Sequence, residues 1–396
     1  MFEKADDYPV DPIMIGADLF AQDPRRDKLN LTVGIYQDEH GRTPVLEAVK
    51  LAEQRLIETQ ASKSYLALTG DADYCRLLGH EILGDAYNAG WVAAQTSGGA
   101  VALRVMADLL AQLPEPPTVW LQAPTYGNYV PILTAAGARH KALPYYETLR
   151  SELTFEQMMD GLQAARPGDV FLMQGVCHNP TGADMSQDQF AALLDRLEAL
   201  GVVPWIDLAY LGFAQDFEAD CLMARRIAER FDECIVCITL SKSFGIYRDR
   251  AGALFIKTRA SDQERITRAV TAIVRSGASH APDHGPSVVR TILQDAELKA
   301  LWLRELEQMR QRVARMRERI VVTEQEMFGT DRLAYLGRQV GMFSLLPLSV
   351  AQEAALTRDH GIHVVQGGRI NVARLGDEDV RWLVEAVCRI LSDPSG

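Results

Sequence analysis

Between residues 91 and 257 the chain alternates short apolar runs with stretches in which apolar residues recur every three or four positions. The runs Trp91–Thr96, Thr118–Gln122, Val170–Gly175, Val202–Leu208, Cys234–Leu240 and Ala251–Ile256 have the length and composition of buried strands. Between them, Ala100–Leu113 places Val101, Val105, Leu109 and Leu113 on one helical stripe. A second helix opens at Ser186 with Gln189 three residues on, a capping box, and runs through Leu193, Leu194 and Leu197 to Gly201. Such alternation predicts an α/β fold, a mostly parallel sheet with helices on both faces. Ligands of such sheets sit at the carboxyl ends of the strands.

After about residue 296 the pattern changes. Ala296–Glu326 reads as one long charged helix with Leu301, Leu303, Leu306, Met309, Val313 and Met316 as its apolar positions. Shorter strand and helix signals follow, ending in a helix near Glu378–Leu391. The expected division is an N-terminal arm with part of a small domain over 1–44, a large domain over 45–305, and a smaller α+β domain over 306–396. No internal repeat or low-complexity segment interrupts it.

Composition narrows the function. Of 396 residues, 47% are hydrophobic and 24% charged, the balance of a soluble globular protein. A net charge of −12 argues against nucleic-acid binding, which needs excess Lys and Arg. No apolar run is long enough to span a membrane, and the acidic start Met1–Asp7 lacks the order of a signal peptide. A cytoplasmic location is therefore expected, and no metal. Six cysteines in a chain of this size do not make a disulfide framework. Cys234 and Cys237 form a C-x-x-C, but on a strand residues three apart point to opposite faces, so they are expected to be two packed thiols.

Five polar clusters fall where the strands end. Lys242, in Ser241-Lys242-Ser243-Phe244-Gly245-Ile246-Tyr247, follows a buried strand. Poor solvation there lowers a lysine pKa, so that its neutral amine can attack a carbonyl; the bland alternative is a solvated lysine. Asp207 ends the run Trp205-Ile206-Asp207, and a buried carboxylate needs a partner. A protonated pyridine nitrogen is one such partner; a helix cap is the alternative. Tyr210 lies three residues on, as a phenol donor or a packing residue. His178-Asn179-Pro180-Thr181-Gly182 marks a turn able to aim the Asn179 amide at a ligand. Thr96-Ser97-Gly98-Gly99-Ala100 joins a strand to a helix, where glycines let backbone N–H groups approach a phosphate, although neither nucleotide-binding glycine fingerprint is present. Arg369, in Gly367-Gly368-Arg369-Ile370-Asn371, suits bidentate grip of a carboxylate or is simply a surface arginine.

Taken together, these clusters resemble the aspartate/aromatic amino acid aminotransferase family, fold-type I enzymes dependent on pyridoxal 5′-phosphate (PLP), from about Asp11 to the C-terminus. The resemblance implies that Lys242 carries the cofactor and shuttles a proton. Asp207 would hold the pyridine nitrogen, Tyr210 and Asn179 the phenolic oxygen, and Gly99, Thr239 and Arg250 the phosphate, with Gly98, Ala100 and Ser241 also among the cofactor-binding residues. Tyr65 would reach that phosphate from the other subunit of a homodimer. Arg369 would grip the substrate α-carboxylate, with Asn179 and the backbone at Gly34, while Arg275 would bind a side-chain carboxylate across the interface. Three positions depart from the family pattern: Tyr126 where a Trp usually stacks on the cofactor, Ala100 where Ser or Thr is frequent, and His280, near Arg275, where a small polar residue is usual. The activity implied is ping-pong transfer of an amino group between an aromatic amino acid or aspartate and 2-oxoglutarate. A PLP-dependent lyase or decarboxylase on the same fold, a biosynthetic aminotransferase with another amino acid substrate, and a catalytically silent ligand-binding regulator are the alternatives.

Overall fold

The computed structural model describes residues 12–392, so the acidic start and residues 1–11 of the expected arm lie outside the described residues. The centre is a seven-stranded sheet in the order 91–97, 251–257, 234–239, 203–208, 170–174, 118–123 and 139–144. All pairings are parallel except those of Ala251–Lys257, which runs antiparallel to both of its neighbours. Six strands match the apolar runs of the sequence to within one or two residues. The seventh, Arg139–Pro144, is an edge strand without such a run: most of its side chains are exposed, so no apolar pattern was required of it.

Alternation along each strand separates two cores. Cys234, Val236 and Ile238 pack into one, beneath helices that include Gln187–Leu200, while Ile235 and Cys237 pack into the other, beneath Gly99–Ala111 and Gln263–Gly277. The two cysteines of the C-x-x-C thus lie on opposite faces as free buried thiols. Ser186 caps its helix through the full capping box with Gln189. Gly99–Ala111 ends earlier than expected: Leu113 lies beyond it and is 38% exposed, and the buried face carries Leu103, Val105, Met106, Leu109 and Leu110 instead.

The long helix spans Ala296–Phe328. Leu298, Trp302, Leu306, Met309 and Val313 belong to the sheet core, whereas Met316 and Ile320 belong to a third core formed mainly with residues 333–390. Leu29 and Leu31 also enter this third core. Leu29–Asn30 pairs in parallel with Ile362–His363, and Asn371 Nδ2 donates to the carbonyls of Val33 and Ile35 at 2.7 and 2.8 Å. The N-terminal segment is thereby stitched to the C-terminal one.

Candidate active site

Lysine, arginine and the glycine turn meet because of the one antiparallel strand. Its start at Ala251 lies at the same end of the sheet as the carboxyl ends of its neighbours, in register with Ser97 on one side and, at Gly252, with Thr239 on the other. Arg250 has φ 54°, a conformation costly for a residue with a Cβ. Its guanidinium lies 3.2 Å from Ser241 Oγ and 3.2 Å from the Tyr247 carbonyl. Gly98 (φ 80°) precedes the helix Gly99–Ala111, whose N-terminus has no side-chain cap. A Cβ on Gly98 would sit 2.5 Å from Arg250 Nη2, and one on Gly99 would sit 1.8 Å from Thr239 Oγ1. Only glycines permit this close approach. The result is a cradle of backbone N–H groups, hydroxyls and a guanidinium at a positive helix end, a suitable seat for a phosphate.

Lys242 and Asp207 line the cavity beside this cradle, with Ala100, Tyr126, Asn179 and Tyr210. Burial lowers the Lys242 amine to about 8; the Asp207 charge acts against that shift and Arg250 with it. Lys242 Nζ lies 5.1 Å from the centre of the Tyr210 ring. Asp207 is buried and caps no helix. Its Oδ2 accepts a 2.7 Å hydrogen bond from the Tyr129 hydroxyl, while Oδ1 has no hydrogen-bond partner among the described residues. Burial raises its pKa to about 6, opposed by the Tyr129 hydrogen bond and by Lys242. A buried carboxylate oxygen without a donor is uncommon in a folded protein and points to a missing cationic N–H group.

Asn179 connects this cavity to a wider cleft. Its Nδ2 donates to the Tyr210 hydroxyl at 3.3 Å, its Oδ1 accepts from Arg369 Nη1 at 3.4 Å, and its backbone is held on both sides by the Gln174 amide at 2.8 Å. Arg369 is buried rather than a surface arginine. It donates to the Thr32 carbonyl at 2.7 Å and lies 4.6 Å from the centre of the Phe343 ring, against which Gly34 also packs. The cleft it lines has a volume of about 400 Å³, with Ile13, Tyr126, Leu345 and Val365 along its walls.

Tyr65, Arg275 and His280, expected at the site, line neither this cavity nor the cleft. Tyr65 is 86% exposed and stacks on His280, with ring centres 4.7 Å apart and planes 19° apart. Arg275, at the end of the helix Gln263–Gly277, is exposed and donates to Ser279. Conversely, Tyr129, Gln174 and Phe343 contact site residues and went unnoticed in the sequence. Tyr129 opens the helix that follows the Tyr126 turn, three residues on; nothing local marks Gln174 or Phe343.

The residues present fit PLP: a phosphate cradle that a Cβ would fill, an amine with a lowered pKa, and a buried carboxylate oxygen lacking a donor. The model of the aminotransferase class I and II family matches residues 26–387, and the chain belongs to that family. It is similar to the aspartate aminotransferase of Escherichia coli (strain K12), with 38% identity over 401 residues, covering 99% of this chain and 100% of that protein. It is equally similar to the aromatic-amino-acid aminotransferase of Pseudomonas aeruginosa, with 38% identity over 397 residues and 99% of each covered. The crystal structure of the aromatic-amino-acid aminotransferase from Burkholderia pseudomallei, covalently bound to pyridoxal phosphate, matches with a TM-score of 0.95 at 33% identity, covering 99% of this chain and 100% of that one. The chain is a PLP-dependent aminotransferase acting on amino acids and 2-oxo acids. Among the described residues no helix is long and apolar enough to cross a membrane.

Proposed function

We propose that the enzyme transfers an amino group between an aromatic amino acid or aspartate and 2-oxoglutarate in ping-pong order, donor and acceptor using one site in turn. The observation that carries this reading is the continuity of the site: Lys242 and Asp207 line one cavity, and Asn179 joins it to the cleft that Arg369 lines. When bound, PLP supplies an aromatic ring that accepts the electrons released at the substrate Cα. Lys242 holds the cofactor, then takes the Cα proton and returns it. Asp207 keeps the ring nitrogen protonated, Tyr210 and Asn179 donate to the phenolic oxygen, and Tyr126 stacks on the ring. Gly98, Gly99, Ala100, Thr239, Ser241 and Arg250 hold the phosphate. Arg369 grips the α-carboxylate, with Asn179 and the Gly34 backbone beside it.

The apolar walls of the cleft support an aromatic side chain, while the relatives of both names support either class of donor. Tyr65, Arg275 and His280 act, in this reading, in the site of a second copy of the chain: Tyr65 at its phosphate and Arg275, beside His280, at the distal carboxylate of a dicarboxylic substrate. The same reading keeps the domain division at 1–44, 45–305 and 306–396, and a cytoplasmic location, where six free thiols stay reduced. The test is a screen of single amino acids against the purified PLP form, following the change in its visible spectrum without an acceptor. Aspartate, glutamate and the aromatic amino acids are expected to respond; a response confined to other amino acids overturns the substrate assignment.

A further inference from the structure

We infer that Tyr129 is a positioning residue of the cofactor site, its hydroxyl holding Asp207 ionised and turned so that Oδ1 faces the cofactor. Tyr129 is the first residue of the helix Tyr129–Ala136, which follows the turn that carries Tyr126. It is almost wholly buried, although a phenol needs a hydrogen-bond partner when removed from water. Among the described residues its hydrogen-bond partner is Asp207 Oδ2 at 2.7 Å, and no other side chain among them hydrogen-bonds to Asp207. With Oδ2 taken, the carboxylate plane is set and Oδ1 is left for the ligand. The Tyr129 ring also meets Tyr126 edge to face, with centres 5.3 Å apart and planes 89° apart. One side chain therefore braces the carboxylate and the ring expected to stack on the cofactor.

The electrostatic consequence follows from the neighbours of Asp207. Burial favours its neutral form, and the groups around it are Lys242, the phenols of Tyr129 and Tyr210, and the Cys237 thiol. Of these, Tyr129 and Lys242 favour the carboxylate. Once PLP is attached the Lys242 amine is consumed, which leaves Tyr129 as the protein donor. A ring N–H⁺ binds the carboxylate and not the acid, so cofactor affinity falls as pH drops through the pKa of Asp207 in the empty site. Removing the Tyr129 hydroxyl raises that pKa and moves the fall to higher pH.

The inference rests on Asp207 being the ring-nitrogen partner, so the experiment carries two variants. Apoenzyme is titrated with PLP between pH 5 and 9, reading tryptophan fluorescence, for the wild type, Tyr129→Phe and Asp207→Asn. The ratio of Tyr129→Phe to wild-type Kd is expected to be near one at pH 9 and to grow to about three- to tenfold below pH 6, since each displaced pKa unit is tenfold in affinity. Taking the ratio cancels the pH dependence of the Lys242 linkage, which both proteins share. A Tyr129→Phe deficit equal at all pH values, or none, overturns the inference, since a merely structural tyrosine gives no pH signature. If Asp207→Asn binds PLP as tightly as the wild type, the assignment of Asp207 itself fails, and the inference with it. Weak binding by Asp207→Asn with no pH-dependent deficit in Tyr129→Phe removes the Tyr129 role alone.

Discussion

The residues expected at the site fall into two halves that the fold treats in opposite ways. Lys242, Asp207, Asn179, Tyr210, Thr239, Arg250 and Arg369 surround one continuous cavity and cleft, most of them buried and tied to one another or to neighbouring carbonyls. Tyr65, Arg275 and His280 form a second cluster on the surface, where the flat stack of Tyr65 on His280 leaves the phenol 86% exposed. The first half is anchored at the ends of sheet strands, so the geometry of the sheet sets its distances. The second half sits on a loop and at the exposed end of a helix. Stacked rings offer apolar area to a covering surface, whereas an exposed guanidinium gains from being covered only where a carboxylate or phosphate pairs with it. The comparison teaches that the sheet fixes the residues that line the cavity, while Tyr65, Arg275 and His280 are held by local contacts at the surface.

The largest effect expected is on the first half. Lys242→Ala should lower transamination by about four orders of magnitude or more, as loss of a covalent, proton-transferring residue does. It should also remove the visible absorption of covalently held PLP; cofactor that borohydride still fixes to this variant would overturn the assignment. Arg369→Ala should come next. It removes a buried guanidinium from the α-carboxylate, worth about 2–5 kcal/mol, and so should lower kcat/KM by about 30-fold or more for dicarboxylic and aromatic substrates alike.

Arg275→Ala separates the two halves. Dicarboxylic substrates should lose about 30-fold in kcat/KM while aromatic substrates, with no distal charge to pair, change far less. Co-assembling Lys242→Ala with Arg275→Ala subunits should restore dicarboxylate turnover, because one hybrid site combines an intact lysine with an intact arginine from the other copy. Confirmed hybrids with no recovery would place both residues in one subunit's site and break the comparison. The smallest effect is expected from Tyr65→Phe. Losing one hydrogen bond to a phosphate should weaken PLP binding by about tenfold without altering the Tm of the apoenzyme, since the hydroxyl of an exposed side chain supports little else. A lowered apoenzyme Tm would instead make Tyr65 a residue of the fold.

Much of this was legible in the residues alone, for identifiable reasons. The carboxyl ends of six strands could be located from their apolar runs: Asp207 lies at the end of one, and Asn179 and the Lys242 segment come shortly after two others. The capping box at Ser186 is a local signal and formed as read. The edge strand Arg139–Pro144 was not legible, because solvent accepts almost any side chain on its exposed positions. Leu113 was placed on the wrong side of a helix end, since an apolar residue at the right spacing does not say where the hydrogen bonding stops.

By itself the sequence determined which residues turn inward and which segments repeat as strand or helix, because burial is written as a periodicity of two or of three to four. It also determined the residue types available for chemistry. Only the tertiary structure decided which of them meet. The reversed direction of Ala251–Lys257 brings Arg250 beside Gly98 and Thr239. The crossing of Asn179 and Arg369, 190 residues apart, makes one site of two regions. The bond from Tyr129 to Asp207, 78 residues apart, engages one carboxylate oxygen and leaves the other without a donor among the described residues. Such contacts depend on the order and direction of strands in the sheet, which no local pattern specifies, since every parallel ordering buries the same apolar faces.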